Sequence, residues 1–275
     1  MNSILGTGLS GLVGSKFVDT FRHEFEFVNM DLSKGVDITI PTQVDEFVSN
    51  SSSPVILHFA AFTDVNKAYE ETGNKDGIAY RVNVLGTKNM AEAAKKYGKH
   101  LIHISTAFVF DGQKPTPYVE TDAVHPIEWY GQTKEWAEEE VVKSGCDYTI
   151  LRIDRPYRQD DFPKPDILHK VMLKLKDGTL PPQFADTSWT STPIEEFCQW
   201  LRQIIEIKPI GIYHATGEKI FSDYDFALWV KETYNLEGEV RKGSLEEYLK
   251  TNSRPYQKNT AMDSSKLRNL LSSAA

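Results

Sequence analysis

The glycine-rich stretch from Ser3 to Gly14 constrains the fold more than any other part of the sequence. It reads Ser-Ile-Leu-Gly-Thr-Gly-Leu-Ser-Gly-Leu-Val-Gly, an apolar run that enters four glycines. A helical pattern leaves the glycines, with Val13, Phe17 and Phe21 spaced four apart. This order predicts a strand, a tight turn and a helix whose first N–H groups face an anion. The spacing fits both G-x-G-x-x-G and T-G-x-x-G-x-x-G, so we interpret it as a dinucleotide-binding turn.

Strand and helix patterns alternate from this turn as far as Ile153. After the first strand, the clearest predicted strands are Glu24–Met30, Val55–Ala61, His100–Thr106 and Tyr148–Ile153, and we count Tyr148–Ile153 as the sixth strand of the chain. One predicted helix starts at Pro41, another spans Ile78–Tyr97, and a third continues from Tyr130 through Val141. Such alternation is typical of a doubly wound parallel α/β sheet of the Rossmann type. Asp31 ends the second strand 20 residues after Gly11, where an acidic side chain accepts hydrogen bonds from an adenosine ribose and favours NAD over NADP.

The pattern changes after Asp154, where prolines cluster and the elements become shorter and mixed. Helices are predicted near 167–175, 194–205, 224–234 and 265–271, with a strand near 212–215. We predict that residues 1–153 form the dinucleotide-binding domain, to which some later segments return. Residues 154–275 are then mainly a smaller substrate-binding lobe over the C-terminal edge of the sheet, where open α/β sheets bind ligands.

Composition narrows the class of protein. The 275 residues are 40% hydrophobic and 25% charged, as in an ordinary globular protein. The net charge of −8 and the lack of a basic run argue against a nucleic-acid binder, and the apolar stretches are too short to span a membrane. Cys146 and Cys198 show no spacing typical of a disulfide framework or a metal site. With the first strand starting so close to Met1, we expect no signal peptide and a cytoplasmic location.

Three residues form a candidate proton-transfer group. Thr106 supplies a hydroxyl at a strand end, and Tyr130 and Lys134 lie at i and i+4 on one helical face. A phenol has an ordinary pKa near 10, which a neighbouring ammonium and an oxidised nicotinamide ring would lower toward neutrality. We therefore predict a reaction in which a nicotinamide cofactor supplies the hydride and Tyr130 exchanges the proton.

Two polar residues fall within apolar elements. His58 lies inside the run Val55–Ala61, and we interpret it as a hydrogen-bonded core histidine. Asn83 falls on the apolar face of its predicted helix, where an amide needs a hydrogen-bond partner. We therefore expect Asn83 to support the site.

The chain resembles the extended short-chain dehydrogenases/reductases and, within them, the dTDP-4-dehydrorhamnose reductase family. The motifs that carry the resemblance are Thr7-Gly8-x-x-Gly11-x-x-Gly14, His58-Phe-Ala-Ala61, Asn83-x-x-Gly86-Thr87, Ile104-Ser-Thr-Ala-Phe-Val-Phe-Asp-Gly112, Tyr130-Gly-Gln-Thr-Lys134, Ile150-Leu-Arg152, Gly211-Ile-Tyr-His214, Arg254-Pro255 and Met262-Asp-Ser-Ser-Lys-Leu267. The resemblance implies reduction of the 4-keto group of a nucleotide-linked deoxysugar by NADH or NADPH. It also implies a homodimer.

The resemblance assigns roles by position. Tyr130 is the proton donor, Lys134 lowers its pKa and holds the nicotinamide ribose, and Thr106 steadies the keto oxygen. The implied cofactor-binding residues are Gly8, Leu9, Ser10, Gly11, Leu12, Val13, Asp31, Asp37, Ile38, Ala60, Ala61, Thr63 and Asn83, with Tyr130 and Lys134. The implied substrate-binding residues are Val109, Phe110, Arg155, Trp189 and Arg254, where Trp189 either stacks on the substrate or packs as a buried aromatic.

The sequence departs from the family pattern at three places. Ala107-Phe108 stands where related sugar-nucleotide dehydratases have Asp-Glu, which argues against dehydration. Asp154-Arg155-Pro156-Tyr157 replaces a Ser/Thr-Trp-Val-Tyr segment, which leaves the identity of the sugar open. Lys16 stands where some members have a glutamate for a dimer-bridging magnesium, so we predict no such metal.

Two alternatives remain open from the sequence. An epimerase of the same superfamily would oxidise and re-reduce its own substrate on a tightly held NAD. A non-catalytic regulatory subunit would keep the nucleotide site and serve a partner protein, as in one methionine adenosyltransferase regulatory subunit that resembles these reductases. The presence of Thr106, Tyr130 and Lys134 favours catalysis.

Overall fold

The computed structural model describes residues 2–274, which fold around a parallel β-sheet. The strands in chain order are β1 (Asn2–Thr7), β2 (Phe25–Asn29), β3 (Val55–His58), β4 (His100–Thr106), β5 (Tyr148–Ile153), β6 (Pro156–Tyr157), β7 (Gln183–Phe184), β8 (Trp189–Thr190), β9 (Thr192–Pro193), β10 (Gly211–His214), β11 (Ile220–Phe221) and β12 (Lys242–Gly243). Six of them form the central sheet in the order β10-β5-β4-β3-β1-β2, with every neighbouring pair parallel. The predicted α/β fold with a doubly wound parallel sheet is confirmed.

Helices cover both faces of the sheet. In chain order they are α1 (Leu12–Phe21), α2 (Pro41–Asn50), α3 (Val65–Glu70), α4 (Ile78–Tyr80), α5 (Thr87–Lys96), α6 (Trp129–Ser144), α7 (Ile167–Lys176), α8 (Ile194–Ile207), α9 (Asp223–Thr233), α10 (Leu245–Leu249) and α11 (Ser265–Ala274). Buried residues of α1, α8 and α11 pack on one face, and those of α2, α5 and α6 pack on the other. Within residues 2–274, no helix is both long enough and apolar enough to cross a membrane.

Several predicted elements need correction at their ends. The run Val55–Ala61 is a strand only to His58, because the chain leaves the sheet there to form the cavity wall described below. The predicted helix Ile78–Tyr97 consists of α4, a π-helical turn over Arg81–Gly86, and α5. Tyr148–Ile153 is the fifth strand of the chain rather than the sixth.

The C-terminal part of the chain contributes to two separate apolar clusters. Helices α8 and α11 belong to the core of the central sheet, and β10 extends that sheet beside β5. Helices α7 and α9 form another cluster around Trp189, whose side chain is fully buried. Polar contacts fasten this part to the start of α1: an Arg158 N–H donates to the Ser15 Oγ at 2.9 Å, and Lys16 pairs with Asp160 at 2.9 Å. The fold thereby places residues 155–170 over the ends of the central strands.

Candidate active site

A cavity of about 700 Å³ lies at the C-terminal ends of the central strands. It runs from the ends of β1 and β2, past β3 and β4, to the segment after β5 and the start of α7. The predicted site residues in its wall are Gly8, Ser10, Gly11, Leu12, Val13, Asp31, Asp37, Ile38, Ala60, Ala61, Thr63, Thr106, Tyr130, Lys134 and Arg155. The structure therefore brings the predicted cofactor turn and the predicted catalytic group to one cavity.

The glycine turn has the geometry of an anion site. Gly8 adopts a positive φ of 68°, and a Cβ there would lie 2.6 Å from the Ala60 nitrogen, so only glycine fits. A Cβ on Gly14 would overlap the Gly8 carbonyl oxygen. Helix α1 starts at Leu12, and no described side chain caps its first N–H groups. A close-packed glycine backbone beside an uncapped helix N-terminus suits a pyrophosphate.

Asp31 is bound to the turn by four hydrogen bonds. Its Oδ1 accepts from the N–H groups of Gly8 and Leu9, the latter at 3.1 Å. Its Oδ2 accepts from the Ser10 N–H at 2.9 Å and from the Ser10 Oγ at 2.5 Å. The carboxylate is therefore fixed at the end of the cavity that Asp37 and Ile38 also line. The prediction that Leu9 is a cofactor-binding residue needs correction, because its side chain is buried against Gly6 and does not line the cavity.

Thr106 and Tyr130 lie together in the middle of the cavity wall. Thr106 is the last residue of β4, and Tyr130 is the second residue of α6, with its ring edge-on to Phe108 at 5.8 Å between centroids. Burial raises the pKa of Tyr130 above its ordinary value of 10, as do the negative charges of Glu128 and Asp154, while the neighbouring Thr106 hydroxyl acts against the rise. In this state the phenol keeps its proton at neutral pH.

Lys134 lines the cavity one helical turn beyond Tyr130, and its side chain is 2% exposed. Its Nζ donates to the Ile104 carbonyl at 2.8 Å and lies 3.1 Å from the His103 Nε2. Burial lowers the pKa of Lys134 to about 8, against the opposing charge of Glu138. The sequence predicted that Lys134 lowers the pKa of Tyr130, but the structure directs its two hydrogen bonds to β4 instead.

Asn83 supports the cavity from behind and does not line it, which corrects its assignment as a cofactor ligand. Its Oδ1 accepts from the Phe62 N–H at 2.7 Å, and its Nδ2 donates to the Phe62 carbonyl and to the Thr133 Oγ1. The amide thus connects the loop after β3 to helix α6. It lies in the π-helical turn, a feature common near functional sites. His58 is the predicted core histidine, with its ring between the hydroxyls of Thr7 and Thr87.

Four of the five predicted substrate residues lie outside the cavity wall. Val109 and Phe110 are fully buried, and Phe110 stacks on Tyr118 with 4.1 Å between ring centroids, so both belong to a local core. Of the two alternatives for Trp189, the structure shows the packed aromatic rather than the substrate contact, because the side chain lies within the α7–α9 cluster. Arg254 donates to the Asn66 Oδ1 at 2.6 Å and is not one of the residues that line the cavity.

Arg155 lines the cavity and is held from three sides. Its guanidinium lies over the Trp189 ring at 4.2 Å, pairs with Asp223 and donates to the Tyr256 hydroxyl at 3.1 Å. Its backbone is in the left-handed region, with φ of 39°. Sequence reasoning missed Asp223 and Tyr256, since nothing local connects them to residue 155.

Sequence reasoning also missed residues around the catalytic group. Glu128 caps helix α6 by accepting from the Gly131 N–H at 2.8 Å, and burial raises its pKa. Ser105 lines the cavity and donates to Glu138, which in turn pairs with Arg152 at 2.6 Å. Ser105 and Arg152 belong to motifs already assigned to other residues, and nothing local in the sequence singled out Glu128 or Glu138.

Comparisons with known proteins cover nearly the whole chain. The family model described as RmlD substrate binding domain matches residues 1–274. The dTDP-4-dehydrorhamnose reductase of Aggregatibacter actinomycetemcomitans is 32% identical over 241 residues, which are 83% of this chain and 78% of that protein. The methionine adenosyltransferase 2 subunit beta of Xenopus laevis is 25% identical over 281 residues, covering 95% of this chain and 80% of that protein. The crystal structure of dTDP-4-dehydrorhamnose reductase from Bacillus anthracis in complex with NADP has a TM-score of 0.89 at 26% identity, covering 98% of this chain and 93% of that one.

Proposed function

The chain belongs to the RmlD substrate binding domain family, and from this premise we propose that it is an NAD(P)H-dependent reductase of a nucleotide-linked 4-keto-6-deoxy sugar. The observation that carries the proposal is the position of the Tyr130 phenol. Tyr130 shares one cavity with Thr106, the glycine turn and Lys134. A carbonyl placed between the cofactor end of this cavity and that phenol has its proton donor beside it.

The residues around the cavity suit a dinucleotide. The first N–H groups of α1, at Leu12 and Val13, would bind the pyrophosphate, and Asp31 with Ser10 would face the adenosine ribose. Asp37 and Ile38 would border the adenine, while Ala60, Ala61 and Thr63 would border the middle of the cofactor. Lys134 would hold the nicotinamide ribose. When bound, the reduced nicotinamide supplies the hydride.

The raised pKa of Tyr130 suits the reductive direction. A proton donor has to hold its proton until the keto oxygen becomes negative, and a buried phenol near two carboxylates does so at neutral pH. The alkoxide that hydride addition creates is a stronger base than a phenolate, so Tyr130 then transfers its proton downhill. Thr106 lines the same cavity and would donate to the same substrate oxygen.

We propose that the enzyme prefers NADH to NADPH. The support is Asp31, whose four hydrogen bonds to the glycine turn prevent it from turning away from the adenosine ribose. A 2′-phosphate at that ribose would meet a fixed negative charge. The NADP complex of the Bacillus anthracis protein makes the comparison of the two cofactors the direct test.

The substrate lobe over residues 154–275, the cytoplasmic location and the homodimer stay part of this proposal. Arg155 is the substrate residue we retain, because it alone of the five predicted ones lines the cavity. Its fixed guanidinium takes the place that the family pattern gives to a tryptophan. We therefore expect the sugar specificity to differ from that of family members with the tryptophan.

The experiment is a panel of 4-keto-6-deoxy sugar nucleotides with NADH or NADPH, followed by loss of reduced-nicotinamide absorbance. We expect oxidation with at least one sugar and a lower KM for NADH than for NADPH. Failure of every sugar would contradict the proposal. NAD that stays bound through purification, with interconversion of two sugar nucleotides, would favour an epimerase.

A second candidate is the non-catalytic subunit. The observation that favours it is the match to methionine adenosyltransferase 2 subunit beta over 95% of this chain. A purified complex with a partner protein, together with no NAD(P)H oxidation by any sugar of the panel, would support this candidate over the reductase.

A further inference from the structure

We propose that His103 is a positioning residue for the reaction: its neutral imidazole accepts a hydrogen bond from the Lys134 ammonium and, with the Ile104 carbonyl, directs the remaining N–H of that ammonium into the cavity. The role of His103 in turnover rests on the proposed function. It does not rest on the identity of the sugar.

The geometry at Lys134 leaves one donor for a ligand. An ammonium carries three N–H groups. One is used at 2.8 Å by the Ile104 carbonyl and one at 3.1 Å by the His103 Nε2, both on β4. Lys134 lines the cavity, and we assign its third N–H to a ligand bound there. Without His103, the flexible side chain would have a single anchor and its free donors would no longer point in one direction.

The hydrogen bond fixes the proton on the His103 ring. Nε2 accepts from the ammonium only through its lone pair, so the ring proton is on Nδ1. The ring is fully buried, and burial and the Lys134 charge lower the pKa of His103 well below its ordinary value, so it stays neutral. Among residues 2–274 its Nδ1 has no hydrogen-bond partner. A buried Nδ1–H without a partner is energetically costly. Because the other ring nitrogen, Nε2, is bonded to Lys134, we infer that the role of His103 lies at that lysine.

The surroundings of Lys134 contain few other charges. On α6 it faces the charge of Glu138, which pairs with Arg152 of β5. On β3 it faces His58, which is paired in register with His103, with 5.2 Å between the ring centroids. His58 is also neutral, because burial lowers its pKa to about 3. His103 is thus the side chain that hydrogen-bonds to the ammonium.

The test uses variants that differ in acceptor position. His103→Gln keeps an amide oxygen near the place of Nε2, whereas His103→Asn and His103→Leu do not. The measurement is NADH binding by nicotinamide fluorescence across pH, which needs no sugar substrate. We expect wild-type affinity to fall above about pH 8, where Lys134 loses its proton. In the Asn and Leu variants the fall should move about one pH unit lower and affinity at pH 7 should drop about tenfold, because a hydrogen bond to a charged group is lost.

His103→Gln should restore both values to within about threefold. His58→Gln is the matched control, since it alters a neighbouring buried ring that is neutral and makes its hydrogen bonds to Thr7 and Thr87 rather than to Lys134, and it should leave the position of the fall unchanged. If no sugar of the panel is reduced but these binding results are obtained, the proposed reductase activity is wrong and the positioning role of His103 is supported. A folded Asn or Leu variant with a wild-type pH profile would overturn the proposal. So would a wild-type profile that shows no fall near pH 8, or a Gln variant that behaves like Leu.

Discussion

The hydrogen bonds between Asp31 and the glycine turn can be tested by the substitution Asp31→Ala. The alanine removes the acceptor of three backbone N–H groups and of the Ser10 hydroxyl. It also removes the negative charge proposed to face the adenosine ribose. Stability and cofactor preference should therefore both change.

The size of the stability change follows from burial. Leu9 is buried, so its orphaned N–H costs about 1–3 kcal/mol. Gly8 is half-buried and Ser10 is exposed, so water can replace much of the hydrogen bonding that they lose with the Asp31 carboxylate. A total of about 2–3 kcal/mol lowers Tm by about 3–5 °C in a chain of this size. Loss of the charge should also raise the preference for NADPH relative to NADH by about tenfold or more, since a charge pair near a protein surface is worth over 1 kcal/mol.

The assay is thermal unfolding combined with fluorescence titration of NADH and NADPH. Asp177→Ala is the matched control, because this exposed carboxylate also accepts from a backbone N–H and a hydroxyl, both of Thr179. It should change Tm by less than about 2 °C. Equal Tm losses in the two variants would refute the argument from burial. An unchanged cofactor ratio in Asp31→Ala would refute the argument from charge.

Three further predictions concern the catalytic phenol, a buried ion pair and the buried His214. Tyr130→Phe should keep the fold and NADH binding and lower kcat by about 10²–10⁴, and unchanged turnover would move the chemistry elsewhere. Arg152→Met strands the buried Glu138 carboxylate and should cost about 3–5 kcal/mol in urea unfolding, most of which Glu138→Leu in the same chain should restore. Burial lowers the pKa of His214 to about 3, so the unfolded state binds an extra proton below pH 6.5 and stability falls as pH drops. In His214→Gln, the unfolding free energy should fall less steeply between pH 6.5 and 4. The slope should correspond to about one proton fewer taken up on unfolding.

The sheet was predictable because its buried strands are short apolar runs between turn signals. His100–Thr106 and Tyr148–Ile153 were predicted with the bounds that the structure gives. The π-helical turn Arg81–Gly86 was not predictable, because apolar spacing at helical period does not distinguish i→i+4 from i→i+5 bonding. Asn83 was recognised as a buried polar residue, but its partners Phe62 and Thr133 come from distant parts of the chain.

The site was predictable where its residues belong to one motif and not where packing over long range decides. Tyr130 and Lys134 lie on one helix face by spacing alone, and both line the cavity. Phe110 was expected to contact substrate, but Tyr118 covers it. His103 carried no signal in sequence, because only the folded sheet brings its ring to Lys134.

In the proposed reaction, hydride from a bound nicotinamide and a proton from Tyr130 reduce a keto carbon of a sugar nucleotide. The most direct measurement uses NADH deuterated at the transferred position, with mass spectrometry and NMR of the sugar product. We expect one deuterium on the carbon that carried the keto group, with one NADH oxidised for each product formed. A product without deuterium, or turnover with no net NADH oxidation, would contradict it.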